Sequence, residues 1–315
     1  MSKESTEAAS RGGEAHRRAR GRSRRRALWW IVPAVCVAAM VAVLVSVLLP
    51  AAQPGRAGAL VPSATSAGSA TSDAPAVPDV SASALSKLPV ARYDAVIGGL
   101  LPFTGDATTV TGSFRLTADA PLFGADRRIP LARLEAQDFV GAPTTVVVVG
   151  RSGPWSKVLT PARIALPSKS GGNAPAQSAA WIATKTLRSV AALPDRIRIS
   201  VGAQTLTILH DGVETASFAV GVGTSGTPTP TNVTGYLQQR YLDPKQGESV
   251  YPIQLTSLHA TTSDEPYGGN DGGLIGIHYN AVNAGAVSHG CVRLTSDAIT
   301  AVNQLPLGTP VTIVE

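Results

Sequence analysis

A run of 23 uncharged residues, Ala27 to Leu49, constrains this chain more than any other feature. It reads ALWWIVPAVCVAAMVAVLVSVLL. As a helix it would measure about 34 Å, enough to cross a hydrocarbon slab of about 30 Å. Trp29 and Trp30 stand at its entrance, where indole rings favour the membrane interface. Pro33 falls in the first turns, where a missing N–H is tolerated. Basic flanks stay in the cytoplasm. The sequence therefore predicts a basic cytoplasmic tail over 1–26, a transmembrane anchor over 27–49, and an extracytoplasmic body held at the cell membrane. A cleaved signal peptide is the alternative, but its apolar core is usually shorter. Either version exports the body.

The net charge of +6 belongs to the tail. Residues 1–26 hold nine Lys/Arg against three Glu, leaving 18 basic and 18 acidic residues in the rest. A phosphate-gripping domain needs its own basic face, so no nucleic-acid partner is expected. The chain has two cysteines. Cys36 lies in the apolar run and Cys291 in the exported body, so the two are not expected to pair. A lone thiol in an oxidising compartment is either buried or used.

Residues 50–84 are rich in Pro, Ala, Ser, Thr and Gly, carry three charges and show no apolar period. They read as a flexible linker. Residues 85–190 read as a small β module. Thr144–Gly150 is a buried-strand run, Gly153-Pro154 a turn, and Trp155–Leu159 an alternating, half-buried strand. With Ala180-Trp181-Ile182 this loosely resembles the bacterial SH3-like pattern, with Ala180 where a glycine is expected. From Arg196 the alternation sharpens. Arg196–Val201, Thr205–Leu209 and Ser217–Val222 form a meander, with Asp211-Gly212 as a type I′ turn. On the strand Gly273–Tyr279, Leu274, Gly276 and His278 face one way; Ile275, Ile277 and Tyr279 face the other. Ser296 reads as the N-cap of a helix carrying Ile299, Val302 and Leu305. Val311–Val314 closes as a strand.

The chemistry concentrates in Ser288-His289-Gly290-Cys291-Val292-Arg293, with His278 upstream. A cysteine attacks as thiolate, and a nearby imidazole can take its proton. Two imidazoles qualify. His289 shares a face with Cys291 if the backbone is extended, and His278 ends a strand that a loop can fold back. Gly290 leaves backbone N–H groups free to meet an oxyanion. Arg293 can hold a carboxylate.

This pattern resembles the YkuD-type L,D-transpeptidase family, whose signature is a histidine, a loop, then Ser/Thr-His-Gly-Cys, a hydrophobic residue and Asn or Arg. The likeness covers about residues 196–315. It includes Val220-Gly221-Val222-Gly223 leading into Thr227-Pro228-Thr229-Pro230-Thr231, after which the expected glycine is Asn232 or is displaced to Gly235. The nine residues between His278 and Ser288 make a shorter loop than the family usually has. The resemblance implies a mainly β protein: a YkuD-type β-sandwich catalytic domain, preceded by the SH3-like module and the membrane helix. It implies Cys291 as nucleophile, His278 as general base, and the Tyr279 carbonyl orienting the imidazole. His289, Gly290 and Cys291 would frame the oxyanion hole, with Ser288 supporting them and Arg293 contacting substrate. The implied partners are donor and acceptor stem peptides of peptidoglycan, joined by 3→3 cross-links, with no metal or cofactor. Acylation of the cysteine by carbapenems follows too.

Two other readings are weighed against it. A zinc hydrolase would use His278, His289 and Cys291 as ligands, but no HExxH-type helix is present. A non-catalytic wall-binding protein would keep Cys291 buried and inert. Elsewhere, His210 reads as exposed beside its hairpin, and His259 as either cleft or ordinary structure. Ser263–Gly273, with three acids and four glycines, reads as a lid or a solvated loop.

Overall fold

The computed structural model describes residues 74–106, 108–246, 248–268 and 271–315. The basic tail, the apolar run and most of the linker lie outside the described residues. Among the described residues no helix is long and apolar enough to cross a membrane.

The protein is mainly β, with two large sheets. The first is made of β1 (Leu101–Pro102), β2 (Gly112–Leu116), β3 (Ala120–Phe123), β4 (Pro130–Leu134), β5 (Thr145–Ser152), β6 (Trp155–Thr160), β7 (Ser178–Ala183) and β8 (Leu187–Ala192). Its order is β4-β3-β7-β6-β5-β2-β8, with β1 paired to β7. The valine run of β5 is buried as its composition predicts, and Gly153 turns the chain with φ +55°. β6 departs from expectation. Trp155 and Ser156 are both fully buried, so this strand is covered on both faces rather than half-buried.

The linker prediction also needs correction at its end. Residues 81–86 form a capped turn of helix, α1 (Ala82–Ser86). The Trp155 indole N–H donates to the Pro75 carbonyl at 2.6 Å. A buried indole needs an acceptor, and the tail of the predicted spacer supplies it. Composition cannot foresee such a docking point.

The second sheet has ten strands: β9 (Asp195–Ser200), β10 (Thr205–His210), β11 (Val213–Ala219), β12 (Gly221–Gly223), β13 (Val233–Asp243), β14 (Glu248–His259), β15 (Leu274–Tyr279), β16 (Gly285–Ser288), β17 (Val292–Leu294) and β18 (Pro310–Val314). Its order is β11-β10-β9-β18-β13-β14-β15-β17-β12-β16. Asp211 and Gly212 both take positive φ, as a type I′ turn requires. Asn232 has φ +58°, so it takes the left-handed place expected of a glycine. The helix α2 (Ser296–Asn303) has Thr295 at its N-cap position, one residue before the predicted Ser296, without a side-chain capping hydrogen bond. Its Ala298, Ile299 and Val302 pack into the core with Ile197, Leu237 and Ile277.

A third apolar cluster joins the two sheets: Val147, Leu159 and Leu193 pack with Tyr236 of β13. The Tyr236 hydroxyl donates to the Thr145 carbonyl at 3.3 Å. The second sheet therefore does not end its core at its own boundary, and this matters for the cleft.

Candidate active site

The site begins with a strand pairing. β15 and β17 run parallel, with His278 opposite Arg293 and Ile277 opposite Val292. Residues paired this way point to the same face. One step earlier, the register brings Gly276 beside Cys291. The Gly276 N–H donates to the Cys291 sulfur at 3.3 Å. Ile275 and Ile277 face the core, while Leu274, Gly276 and His278 face a cavity of about 680 Å³. That alternation is the one the sequence predicts. Cys291 is only 6% exposed, yet it lines the same cavity.

His278 is held at one nitrogen. Nδ1 lies 2.9 Å from the Tyr279 carbonyl and 3.1 Å from Glu248 Oε1. Both neighbours are acceptors, so Nδ1 carries the proton, and Nε2 is the atom left to meet the sulfur. Burial pushes the imidazole pKa down. The hydrogen bond and charge of Cys291, then those of Glu248, outweigh burial and raise it. Glu248, 7% exposed at the start of β14, has no local signal in the sequence. It arrives through a different hairpin.

The Ser-His-Gly-Cys segment is a laced turn. Ser288 Oγ donates to the Cys291 carbonyl at 2.6 Å and accepts the Gly290 N–H at 3.2 Å. Thr229 Oγ1 donates to the Gly290 carbonyl at 2.7 Å and accepts the Gly223 N–H at 2.9 Å. Gly290 has φ +116°, and an added Cβ would lie 3.2 Å from Ile275. That dihedral breaks the extended path on which His289 would share a face with Cys291. His289 is exposed instead and lies against the ring of Tyr267, 5.2 Å away. Of the two candidate imidazoles, only His278 lines the cavity with the thiol. Among the described residues no three His, Cys, Asp or Glu side chains are grouped to hold a metal.

Residues 194–313 match the family model of the L,D-transpeptidase catalytic domain, YkuD. Over these residues the chain is similar to a YkuD-type L,D-transpeptidase catalytic domain. The chain is 30% identical to YkuD of Bacillus subtilis (strain 168) over 122 residues, which are 38% of this chain and 66% of that protein. It thus spans just under two thirds of that relative's length. Among solved structures it is similar to an L,D-transpeptidase from Stackebrandtia nassauensis, at 17% identity over 39% of this chain and 56% of that one, with TM-score 0.29. It is also similar to one from Mycobacterium smegmatis, at 13% identity over 51% and 91%, with TM-score 0.32.

Further features surround the thiol. Arg293 lines the cavity with its Nε buried and without a hydrogen-bond partner. Tyr267, on the loop after β14, lines the same cavity. Burial, then the charge of Cys291 and a hydrogen bond to it, push the Tyr267 hydroxyl pKa up. The loop is anchored at its base: Arg163 donates to the carbonyls of Ala260, Ser263 and Asp264, and Ser168 donates to the Asp264 carboxylate. His259 lies outside the cavity lining and is 1% exposed. His210 is exposed and pairs with Asp195 at 2.7 Å.

Proposed function

We propose that this chain is a cysteine-dependent L,D-transpeptidase of peptidoglycan. The observation that carries the reading is that Cys291 and His278 face one cavity, with Nδ1 of the imidazole fixed by Tyr279 and Glu248 and its pKa raised beside the sulfur. Such a pair reacts as thiolate and imidazolium. The thiolate attacks the carbonyl between the third and fourth residues of a stem tetrapeptide. His278 then gives its proton to the departing D-alanine amine, leaving a thioester. An amine of a neighbouring stem attacks the thioester, returns a proton to His278 and completes a 3→3 cross-link. Water in its place gives carboxypeptidase activity.

Arg293, which lines the cavity, is the group for a substrate carboxylate. Of the three N–H groups expected to frame the oxyanion, that of Gly290 is taken by Ser288. The reading keeps those of His289 and Cys291. It also keeps the membrane anchor, which would hold the site in the cell-wall space beside its polymer.

Intact-mass analysis with a stem tetrapeptide and with a carbapenem tests this. The expected result is an acyl adduct on the wild-type protein and none on Cys291→Ala. Equal adduct on both proteins, or none on either, would end the proposal.

A further inference from the structure

Two rings in the cleft come from outside residues 194–313. Tyr93 and Phe139 line the cavity that holds Cys291. Tyr93 meets Phe139 edge to face at 4.8 Å, and Phe139 meets Tyr241 of β13 at 5.7 Å. Tyr93 and Tyr241 pack in turn on Ile253, Leu255 and Leu274, which face the same cavity. The result is a continuous apolar wall beginning before the catalytic domain and ending next to the nucleophile.

This wall is held from within the catalytic domain. His259 Nε2 donates to the Tyr93 carbonyl at 2.9 Å from a fully buried ring. Gly272 leaves the backbone of residues 93–94 room to approach; a Cβ there would stand 2.5 Å from the Tyr93 oxygen. On the other side, Asp138 accepts the N–H groups of Val140 and Ala142 and the side-chain amide of Gln239 on β13. Phe139 is nevertheless 38% exposed. Firm anchoring of a ring that stays open to solvent suits a ligand contact better than a core contact.

We infer that Tyr93 and Phe139 bind substrate, forming an aromatic wall for the aliphatic part of the donor peptide while Arg293 takes its carboxylate. This rests on the proposed function. It makes the leading module part of the binding site, with His259 as a positioning residue. The wall contacts donor equally before and during reaction, so it acts on KM and not on kcat.

The test measures D-alanine release from a stem tetrapeptide by the full-length protein, alongside the rate at which iodoacetamide alkylates Cys291. Phe139→Ala should raise KM for the donor about tenfold, as expected for one lost ring contact. Its kcat and its alkylation rate should stay within twofold. Phe139→Leu, which keeps an apolar side chain, should show a smaller rise and guards against a folding defect. An unchanged KM overturns the inference. So does a parallel fall of kcat and alkylation in both variants, which would make the ring structural. A wild-type protein that alkylates normally but never releases D-alanine would instead defeat the transpeptidase reading, and this inference with it.

Discussion

Acidification should loosen the protein at His259. This ring is 1% exposed and donates from Nε2 to the Tyr93 carbonyl. Burial holds its pKa down to about 4 against an ordinary 6.5, with the nearby Arg163 guanidinium adding to the depression and the Tyr93 hydrogen bond opposing it. Between those two pH values the unfolded chain binds a proton that the folded chain refuses. Stability therefore falls as pH falls through that window. One pKa unit corresponds to about 1.4 kcal/mol. The full window is then worth about 3 kcal/mol, or roughly 6–12 °C in Tm for a unit of this size. His259→Gln keeps an N–H donor for Tyr93 and cannot titrate. Scanning calorimetry of both proteins at pH 7 and pH 4 isolates the effect, because all other titrating groups are shared. The wild type should lose about 3 kcal/mol more than His259→Gln. Parallel losses would refute the reasoning, since the buried ring would then not be resisting protonation.

Two further outcomes follow from named contacts. Glu248→Gln removes a negative partner of His278, so the imidazolium should lose its proton at lower pH. The alkaline limb of the D-alanine release profile should shift to lower pH, with kcat down about tenfold for one charge-assisted hydrogen bond; an unmoved limb would show that Glu248 does not bear on the imidazole. Arg163→Met leaves three loop carbonyls without their donor. It should lower stability by about 2–4 kcal/mol in urea unfolding and raise hydrogen exchange over residues 263–268.

Local patterns in the sequence carried much of this architecture. The alternation of Leu274–Tyr279 assigns its two faces correctly, and Asp211-Gly212 marks its hairpin. The thiol and the imidazole at 278 are recognisable because their motif is short and chemically unusual. What escaped depends on pairings distant in the chain. Glu248 reaches His278 across 30 residues, and Tyr93 reaches His259 across 166. No periodicity encodes either meeting. A single dihedral moves His289 off the face that an extended path gives it: Gly290 at φ +116° turns the chain. The presence of Tyr267 in the cavity lining is also illegible locally, because the base of its loop is held by Arg163 from about 100 residues upstream. Trp155 taking Pro75 as acceptor is likewise invisible to composition.

The hydrogen bond from His259 to Tyr93 has an evolutionary consequence. A catalytic half whose buried imidazole needs a carbonyl from its predecessor cannot be shuffled freely. Any module grafted ahead of it must deliver an acceptor to the same point, or leave a polar nitrogen stranded in a dry interior. Swaps among leading modules are thereby filtered by a single atom of geometry long before substrate preference is tested.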